Sequence, residues 1–349
     1  MLARTDSTAT PTEEFDYQLP ARAIAQQPLA DRSSSRMLVL GGGGQLTDAQ
    51  VTGLPQFLKR GDCLVVNDTR VRAARLRGVV GARAGELLLV RRLAAGRYRA
   101  LARPARALRP GAVLAGDRWR ATIEMEWDGH PAGREVRLEL DPGARLPDVG
   151  EVPLPPYLKQ HLADPERYQT VYSRGPAVSA AAPTAGLHLT PSLLREIQKR
   201  GVSLCRVQLE VGIATFTPIR TETIEAHPMP SERYRITPAA AAIVKRTRAV
   251  GGRIVAVGTT TVRCLESSPD GEGGVLAGSG ETELYLRPGS RFQVVDGLLT
   301  NFHQPRSSLL VLVSAFYGTD QVRLAYRHAL RRGYRFLSFG DCIFGWRAP

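Results

Sequence analysis

A histidine stands directly before a strong helix start in residues 182–191, which read Ala-Pro-Thr-Ala-Gly-Leu-His-Leu-Thr-Pro. Thr190 is predicted to be the N-cap and Pro191 the first helical residue, where a missing N–H costs nothing. We therefore expect His188 in a loop beside the positive end of a helix, which favours an anionic or polar ligand. The same residue types are also typical of a tight connection without a ligand, and the local sequence leaves both interpretations open.

A second polar group follows residues 63–66, which are apolar at consecutive positions and so predict a strand covered on both faces. Asn67, Asp68 and Arg70 come directly after it. Ligand sites in α/β sheets gather at the carboxyl ends of strands, so these side chains are candidate ligand contacts. An Asx turn that merely closes the strand is the alternative.

Two further polar groups have the same relation to apolar runs. A short strand at 253–257 is followed by Gly-Thr-Thr-Thr-Val-Arg at 258–263, which opens a predicted helix. Hydroxyls at a helix N-terminus suit a carboxylate or phosphate, and a guanidinium adds a fork of donors. The run that follows Asp296 ends in Asn301 and His303. Polar groups bunched at loop positions on a rigid scaffold predict a catalytic pocket.

Several common chemistries have no support in the sequence. The chain has no metal-ligand spacing, no serine nucleophile elbow and no glycine-rich methyltransferase loop, so no metal is expected. Residues 41–44 are four glycines after a strand, and they lack phosphate-loop spacing, so we predict a hairpin turn. The four cysteines are far apart and predict reduced core residues.

The pattern of elements predicts a mixed α/β fold with a larger α/β domain and an inserted, small all-β barrel. Residues 74–153 alternate short apolar runs with glycine and proline and lack helical periodicity, so they form the predicted barrel. The larger domain is expected over 15–73 and 154–349, with a last strand at 334–339. Residues 1–14 are polar and are predicted to be a disordered tail.

Composition excludes a membrane protein, because no apolar run approaches 18 residues. The first residues lack the apolar segment of a signal peptide, so a cytoplasmic location is expected. The net charge of +14 is uneven: residues 70–120 hold 14 arginines and two acidic residues. Such a segment predicts nucleic-acid contact. A GC-rich genome is the alternative source of arginine, since the chain has only four lysines.

Longer motifs resemble one known family. They are VNDTRVRAARL at 66–76, RYQTVYS at 167–173, AAPTAGLH at 181–188, GGRIVAVGTTTVRCLES at 251–267, VVDGLLTNFH at 294–303, SSLLVLVSAF at 307–316 and YRFLSFGDCIF at 334–344. In their residues and in their order they are similar to the S-adenosylmethionine:tRNA ribosyltransferase-isomerases of queuosine biosynthesis. The resemblance covers nearly the whole chain.

The resemblance implies an activity. Enzymes of that family move the ribosyl part of S-adenosylmethionine, a cosubstrate, onto 7-aminomethyl-7-deazaguanine at the tRNA wobble position. The product is epoxyqueuosine, and adenine and methionine leave. The implied partner is the anticodon region of tRNA, and a monomer or weak homo-oligomer is expected.

The chemistry of that reaction suggests roles for the candidate residues. A sulfonium acidifies the adjacent 5′ carbon, so His188 or His303 is expected to act as the base and the other as an acid, with Glu210 as a further catalytic candidate. Cosubstrate contacts are predicted for Thr184, Thr259, Thr260, Thr261, Arg263, Asp296 and Asn301. Contacts with the deazaguanine nucleoside are predicted for Asn67, Asp68, Arg70 and Arg103.

The chain departs from the family pattern at several positions. Glu210 and Pro230 stand where the family has histidines, and Ala214, Gln304 and Leu189 replace a glycine, a leucine and an aromatic residue. The exchange of histidine for a carboxylate alters charge and proton transfer. Two other hypotheses therefore remain: a ribosyltransferase acting on a free base or nucleoside, and a non-catalytic RNA-binding protein.

Overall fold

The chain divides into two compact units in the computed structural model, which describes residues 9–127, 130–160, 162–212 and 217–348. The first, here called the sheet unit, comprises Met1–Thr69, Pro156–Arg174 and Pro183–Pro349. The second, the barrel unit, comprises Arg70–Pro155 and Gly175–Ala182. The insertion expected at 74–153 falls within the barrel unit, which also takes in residues 175–182.

Strands and helices are numbered here in chain order. The strands are β1 (Arg36–Leu40), β2 (Leu46–Gln50), β3 (Cys63–Asn67), β4 (Arg70–Val71), β5 (Arg75–Val80), β6 (Arg83–Ala94), β7 (Arg97–Arg103), β8 (Val113–Gly116), β9 (Trp119–Glu126), β10 (Gly133–Leu140), β11 (Ala177–Ser179), β12 (Ser203–Leu209), β13 (Glu232–Ile236), β14 (Ile254–Val257), β15 (Gly278–Thr282), β16 (Gly297–Asn301) and β17 (Cys342–Trp346). The α-helices are α1 (Leu146–Val149), α2 (Pro191–Lys199), α3 (Pro238–Ala249), α4 (Thr259–Glu266), α5 (Ser308–Tyr317) and α6 (Thr319–Arg331). Single 3₁₀ turns include Thr12–Phe15, Arg32–Ser34 and Thr184–His188.

The sheet unit is built on a nine-stranded mixed sheet with the order β15-β13-β12-β3-β14-β16-β17-β1-β2. Strands β12, β3, β14 and β16 run parallel to one another. Their last residues, Leu209, Asn67, Val257 and Asn301, therefore lie along one edge of the sheet. Three of the four polar groups predicted from the sequence follow these strands, so the topology brings them to the same edge.

One face of this sheet packs against α2. Leu193, Leu194 and Ile197 of the helix join a buried cluster with Leu64 and Leu299 of the strands. The predicted caps are confirmed, because the hydroxyl of Thr190 accepts the N–H of Leu193 and begins α2. The predicted buried strand at 63–66 is also confirmed, since every residue of β3 is buried.

Two sequence predictions fail. The last strand is β17 at 342–346, and residues 334–339 form only one isolated bridge, between Phe336 and Ile24. Residues 9–14 are not a free tail: Thr12 is fully buried and its hydroxyl donates to the carbonyl of Thr221. Both errors concern segments held by residues far away in the chain, which a local pattern does not show.

The barrel unit closes six antiparallel strands in the order β10-β7-β6-β5-β8-β9, which confirms the predicted barrel. Its core is apolar and is filled by side chains such as Leu76, Leu114 and Val136. The antiparallel pairing of β1 with β2 confirms the hairpin at 41–44. The four cysteines are free and buried, as expected. Of the helices in the described part of the chain, none is long and apolar enough to span a membrane.

Acidic residues partly neutralise the arginines of the barrel unit. Residues 70–155 contain 17 arginines and ten acidic residues, for a net charge of +7. Several arginines pair with glutamates on neighbouring strands, as Arg97 does with Glu124 at 2.7 Å and Arg99 with Glu135 at 3.3 Å. The arginine excess of 70–120 is thus partly neutralised by acids that follow it in sequence.

Candidate active site

Asn301 joins two of the predicted polar groups. Its side-chain oxygen accepts the hydroxyl of Thr184 at 2.9 Å, and its amide nitrogen lies 3.2 Å from Nε2 of His188. The same nitrogen donates to the carbonyl of Leu337 at 3.2 Å. The last residue of β16 therefore fixes both ends of the 184–188 turn at the edge of the sheet.

His188 is buried and only 3% exposed. Burial and the nearby charges of Arg335 and Arg32 lower its pKa from 6.5 to about 4, so the imidazole is neutral at pH 7. The ring lines a small cleft with Arg32, Arg167 and Ser338 among its walls. A neutral imidazole beside guanidinium groups suits a polar or anionic ligand.

The N-terminus of α4 faces the same turn. Gly258 precedes the helix with φ of 89°, and a Cβ at this position would lie 3.5 Å from Cβ of Ala185. The amides of Thr259 and Thr260 begin the helix and so have no intrahelical acceptor. The hydroxyl of Thr261 donates to the carbonyl of Val257 at 2.6 Å, so it is used within the helix. Thr259 and Thr260 remain candidate ligand contacts.

Asn67 connects β3 to the two elements beside it. Its amide nitrogen donates to the carbonyl of Leu209 at 3.0 Å and to the hydroxyl of Thr260 at 3.3 Å. Its oxygen accepts the N–H groups of Leu209 at 3.1 Å and Thr69 at 3.2 Å. These four bonds use the whole capacity of a primary amide. We therefore assign Asn67 to positioning the site, in place of the substrate contact predicted from the sequence.

Asp68 is the more accessible neighbour at the end of β3. Burial raises the pKa of its carboxyl group, and the nearby charges of Arg206 and Arg174 oppose that shift. Its backbone is fixed on both sides, because its N–H donates to Val207 and its carbonyl accepts the N–H of Arg174. A half-buried carboxylate between two guanidinium groups is suited to a nucleobase or a ribose.

Tyr172 lies between Asp68 and the 184–188 turn, here called the histidine turn. It is not among the site residues predicted from the sequence. Its hydroxyl is pressed against the turn, since a Cβ on Gly186 would lie 1.8 Å from it. The charges that act on this hydroxyl include those of Asp68 and Arg32. The hydroxyls of Tyr172 and Thr170 are buried and have no hydrogen-bond partner among the described residues. The available signal was the group of polar residues in the irregular segment 167–173.

His303 lies elsewhere. Its Nε2 is 3.1 Å from the hydroxyl of Thr300, whereas His188 is bound by the next residue, Asn301. Successive side chains of a strand leave opposite faces, so the two histidines are held on opposite sides of the sheet. His303 packs at the aromatic group of Tyr326 and Tyr17, which bond its backbone N–H and its carbonyl. Burial lowers its pKa to about 3.

Two other side chains that were predicted to contact the cosubstrate are bonded to other residues of the protein. Asp296 precedes β16, about 16 Å along the strand from Asn301, and it accepts the guanidinium of Arg248 and the N–H of Ile254, each at 2.7 Å. Arg263 is buried, where it pairs with Glu232 and donates to the carbonyl of Leu284 at 3.1 Å. Both side chains therefore stabilise the sheet unit.

The remaining candidates are distributed over both units. Glu210 follows β12 and lines a groove with Gln208 and Arg235. Arg70 begins β4 and Arg103 ends β7, both in the barrel unit. Ala214 lies outside the described residues. Within the described residues no group of three or more His, Cys, Asp or Glu is placed to hold a metal ion.

Comparison with known proteins identifies the family of this chain. The profile of the family described as "Queuosine biosynthesis protein" matches residues 12–344. This chain belongs to that family. Two curated relatives, from Moorella thermoacetica and Anaeromyxobacter dehalogenans, are each 48% identical over 340 residues. The match covers 95% of this chain in both cases, and 98% and 97% of the respective relatives.

Both of these members of the queuosine biosynthesis family are named S-adenosylmethionine:tRNA ribosyltransferase-isomerase. A crystal structure of an S-adenosylmethionine tRNA ribosyltransferase from Thermotoga maritima is similar with a TM-score of 0.55 and 33% identity. It covers 95% of this chain and 99% of that one. The family resemblance and the fold class predicted from the sequence are therefore confirmed.

Proposed function

We propose that this protein is an S-adenosylmethionine:tRNA ribosyltransferase-isomerase, which transfers and rearranges the ribosyl group of S-adenosylmethionine onto a 7-aminomethyl-7-deazaguanine base in tRNA. The observation that carries the proposal is the convergence of Thr184, His188, Asn301 and the N-terminus of α4 at one edge of the sheet. Family membership supplies the reaction class.

The cosubstrate is assigned to the histidine turn and α4. S-adenosylmethionine carries a carboxylate, ribose hydroxyls and adenine ring nitrogens, all of which accept hydrogen bonds. The free amides of Thr259 and Thr260 suit the carboxylate, since a helix N-terminus favours negative charge. His188 and the buried hydroxyls of Thr170 and Tyr172 suit the adenosine.

We assign the binding of the acceptor nucleobase to the side chain of Asp68. A carboxylate accepts from the ring N–H and the exocyclic amine of a deazaguanine, and Arg206 or Arg174 can donate to its carbonyl oxygen. Arg70 and Arg103 of the barrel unit are assigned to the tRNA backbone, together with exposed arginines of that unit. The anticodon region is the expected part of the tRNA.

The test is adenine release. Purified protein is incubated with S-adenosylmethionine and tRNA that bears the deazaguanine precursor, and adenine and the modified nucleoside are measured by chromatography. We expect both products in equal amounts, with neither product when the tRNA carries guanine at the wobble position. A protein that binds this tRNA and releases no adenine would contradict the proposal and would favour the non-catalytic RNA-binding hypothesis.

One observation favours a second candidate, a ribosyltransferase that acts on a free base or nucleoside. Glu210 and Pro230 replace histidines of the family pattern, and Glu210 lines a groove beside Arg235. The same assay with free 7-aminomethyl-7-deazaguanine separates the two candidates. Adenine release with the free base alone would support the second.

A further inference from the structure

The orientation of the Asn301 amide is determined by its surroundings. One end of the amide lies 3.2 Å from the carbonyl oxygen of Leu337. A carbonyl oxygen only accepts, so this end must be the NH₂ group. One hydrogen of that group points to Leu337, and the second is available to Nε2 of His188, also at 3.2 Å. Nε2 of His188 must therefore accept, and it carries no proton.

The carbonyl that sets this orientation is itself firmly held. Leu337 has φ of 70°, in the left-handed region, which costs a non-glycine residue about 1 kcal/mol. Its N–H donates to the carbonyl of Phe302, and its own carbonyl also accepts the N–H of Gly340 at 2.9 Å. At the other end of the amide, the hydroxyl of Thr184 bonds the oxygen of Asn301. A flip of the amide would place its oxygen against the carbonyl oxygen of Leu337, so the contact at that end fixes the orientation.

We propose that His188 acts as a hydrogen-bond donor through Nδ1–H, and that Asn301 is the positioning residue that fixes this tautomer. The inference rests on the proposed function for its ligand, which is the nucleoside of the cosubstrate. Nδ1 of His188 has no hydrogen-bond partner among the described residues, and the ring lines the cleft beside Arg32. The proton on Nδ1 is thus available to a bound molecule.

This assignment changes the expected chemistry of His188. Burial and the charges of Arg32 and Arg335, which face the ring, keep it neutral at pH 7. A neutral imidazole is too weak an acid to give up its proton, so it polarises an acceptor without proton transfer, as a preorganised donor does. The acceptor is an adenine nitrogen or a ribose oxygen that gains negative charge as the sugar bond breaks.

Removal of the proton next to the sulfonium then falls to another group. This division of roles replaces the expectation that His188 or His303 removes the proton.

The tautomer can be measured directly in the free enzyme. Two-bond ¹H–¹⁵N correlation spectra of ¹⁵N-histidine-labelled protein distinguish the Nδ1–H tautomer, the Nε2–H tautomer and the imidazolium. The signal of His188 is assigned by its loss in His188→Asn. We expect Nδ1–H from pH 6 to 8, and an Nε2–H or imidazolium pattern in that range would overturn the proposal. The result does not depend on activity, so it is separate from failure of the proposed function.

Two variants test the role of Asn301. Asn301→Asp places an acceptor next to Nε2, so the His188 signal should change to the Nε2–H or imidazolium pattern. Thr184→Val is the matched control: it removes the bond to the other end of the amide and leaves the carbonyl of Leu337 to orient it, so the Nδ1–H pattern should persist. An unchanged pattern in a folded Asn301→Asp would contradict the assignment.

Turnover gives a second criterion. An asparagine amide nitrogen can occupy the position of Nδ1, whereas a glutamine amide reaches toward Nε2. His188→Gln and His188→Ala should lose about 100-fold or more in kcat, the usual effect of removing a preorganised donor, while His188→Asn should keep at least ten times the activity of His188→Ala. Equal loss in all three variants would exclude a donor at Nδ1.

Discussion

Thr300 and Asn301 are neighbours at the end of one strand, and each holds a different buried histidine on a different face of the sheet. The two histidines should therefore respond differently to removal. His188→Ala should remove most turnover in the folded fraction of the protein. His303→Ala should lower that free energy by about 2 kcal/mol or more, since it leaves a cavity and an unpaired Thr300, and should keep turnover in the folded fraction.

These outcomes are read from adenine release and from urea unfolding followed by circular dichroism. Full loss of turnover in a folded His303→Ala protein would contradict the separation of the two histidines.

The buried histidines also predict how stability depends on pH. The pKa values of His188 and His303 are lowered to about 4 and about 3, from 6.5. Below pH 6.5 both histidines bind protons in the unfolded chain but stay neutral in the folded protein, so the folded state loses stability as the pH falls. Between pH 7 and pH 5 the loss should be about 2 kcal/mol for each histidine.

Urea unfolding at the two pH values checks this expectation, with His303→Gln as the comparison. The variant should lose less stability over the interval than the wild type by about 2 kcal/mol. Equal slopes would mean that His303 is not held neutral by the fold.

Asn67 and Asp68 are adjacent and should give opposite phenotypes. Asn67→Ala leaves the N–H and carbonyl of Leu209 unpaired, which should cost about 2 to 4 kcal/mol of stability. Asp68→Asn keeps its shape and should remain stable, while adenine release with tRNA falls at least tenfold. Thermal unfolding and single-turnover assays on both variants decide the matter. A stable Asn67→Ala, or an active Asp68→Asn, would contradict the assigned roles.

Three exposed arginines in the barrel unit, Arg103, Arg106 and Arg109, have no acidic side chain within 4 Å among the described residues. If they bind tRNA phosphates, the triple alanine variant should weaken tRNA affinity and reduce the slope of log K against log salt by about 2 to 3. The control is the alanine variant of arginines already paired with glutamates, Arg97, Arg120 and Arg137. Equal changes in both variants would indicate a general charge effect.

Local signals in the sequence predicted much of this fold. The cap at Thr190 and the buried strand at 63–66 depend on residues within a few positions of each other, and both are confirmed. The barrel was predictable because antiparallel strands alternate regularly with turn residues. The strand expected at 334–339 failed because Leu337 adopts left-handed backbone under tertiary contacts.

The site was predictable in position and less so in detail. The carboxyl ends of parallel strands must meet, so Asn67, Thr260 and Asn301 were correctly expected at one edge. Which groups remain available to a ligand depends on side-chain partners that no pattern reveals. Asn67 and Arg263 bear suitable groups, and these groups bond to other parts of the protein. The buried hydroxyl of Tyr172, in contrast, has no hydrogen-bond partner among the described residues and lies outside the α-helices and strands.

The order of strands has a consequence for how the chain folds during synthesis. Strand β17 lies between β16 and β1, so Met37 pairs with a residue made about 300 positions later, Cys342. The barrel pairs only strands that are close in sequence, so it can form before synthesis of the chain is complete, because local contacts form quickly. Until residues 342–346 have been synthesised, the β1–β2 hairpin cannot join the rest of the sheet through β17. One edge of β1 and one edge of β16 therefore stay without the strand that pairs with them in the folded protein.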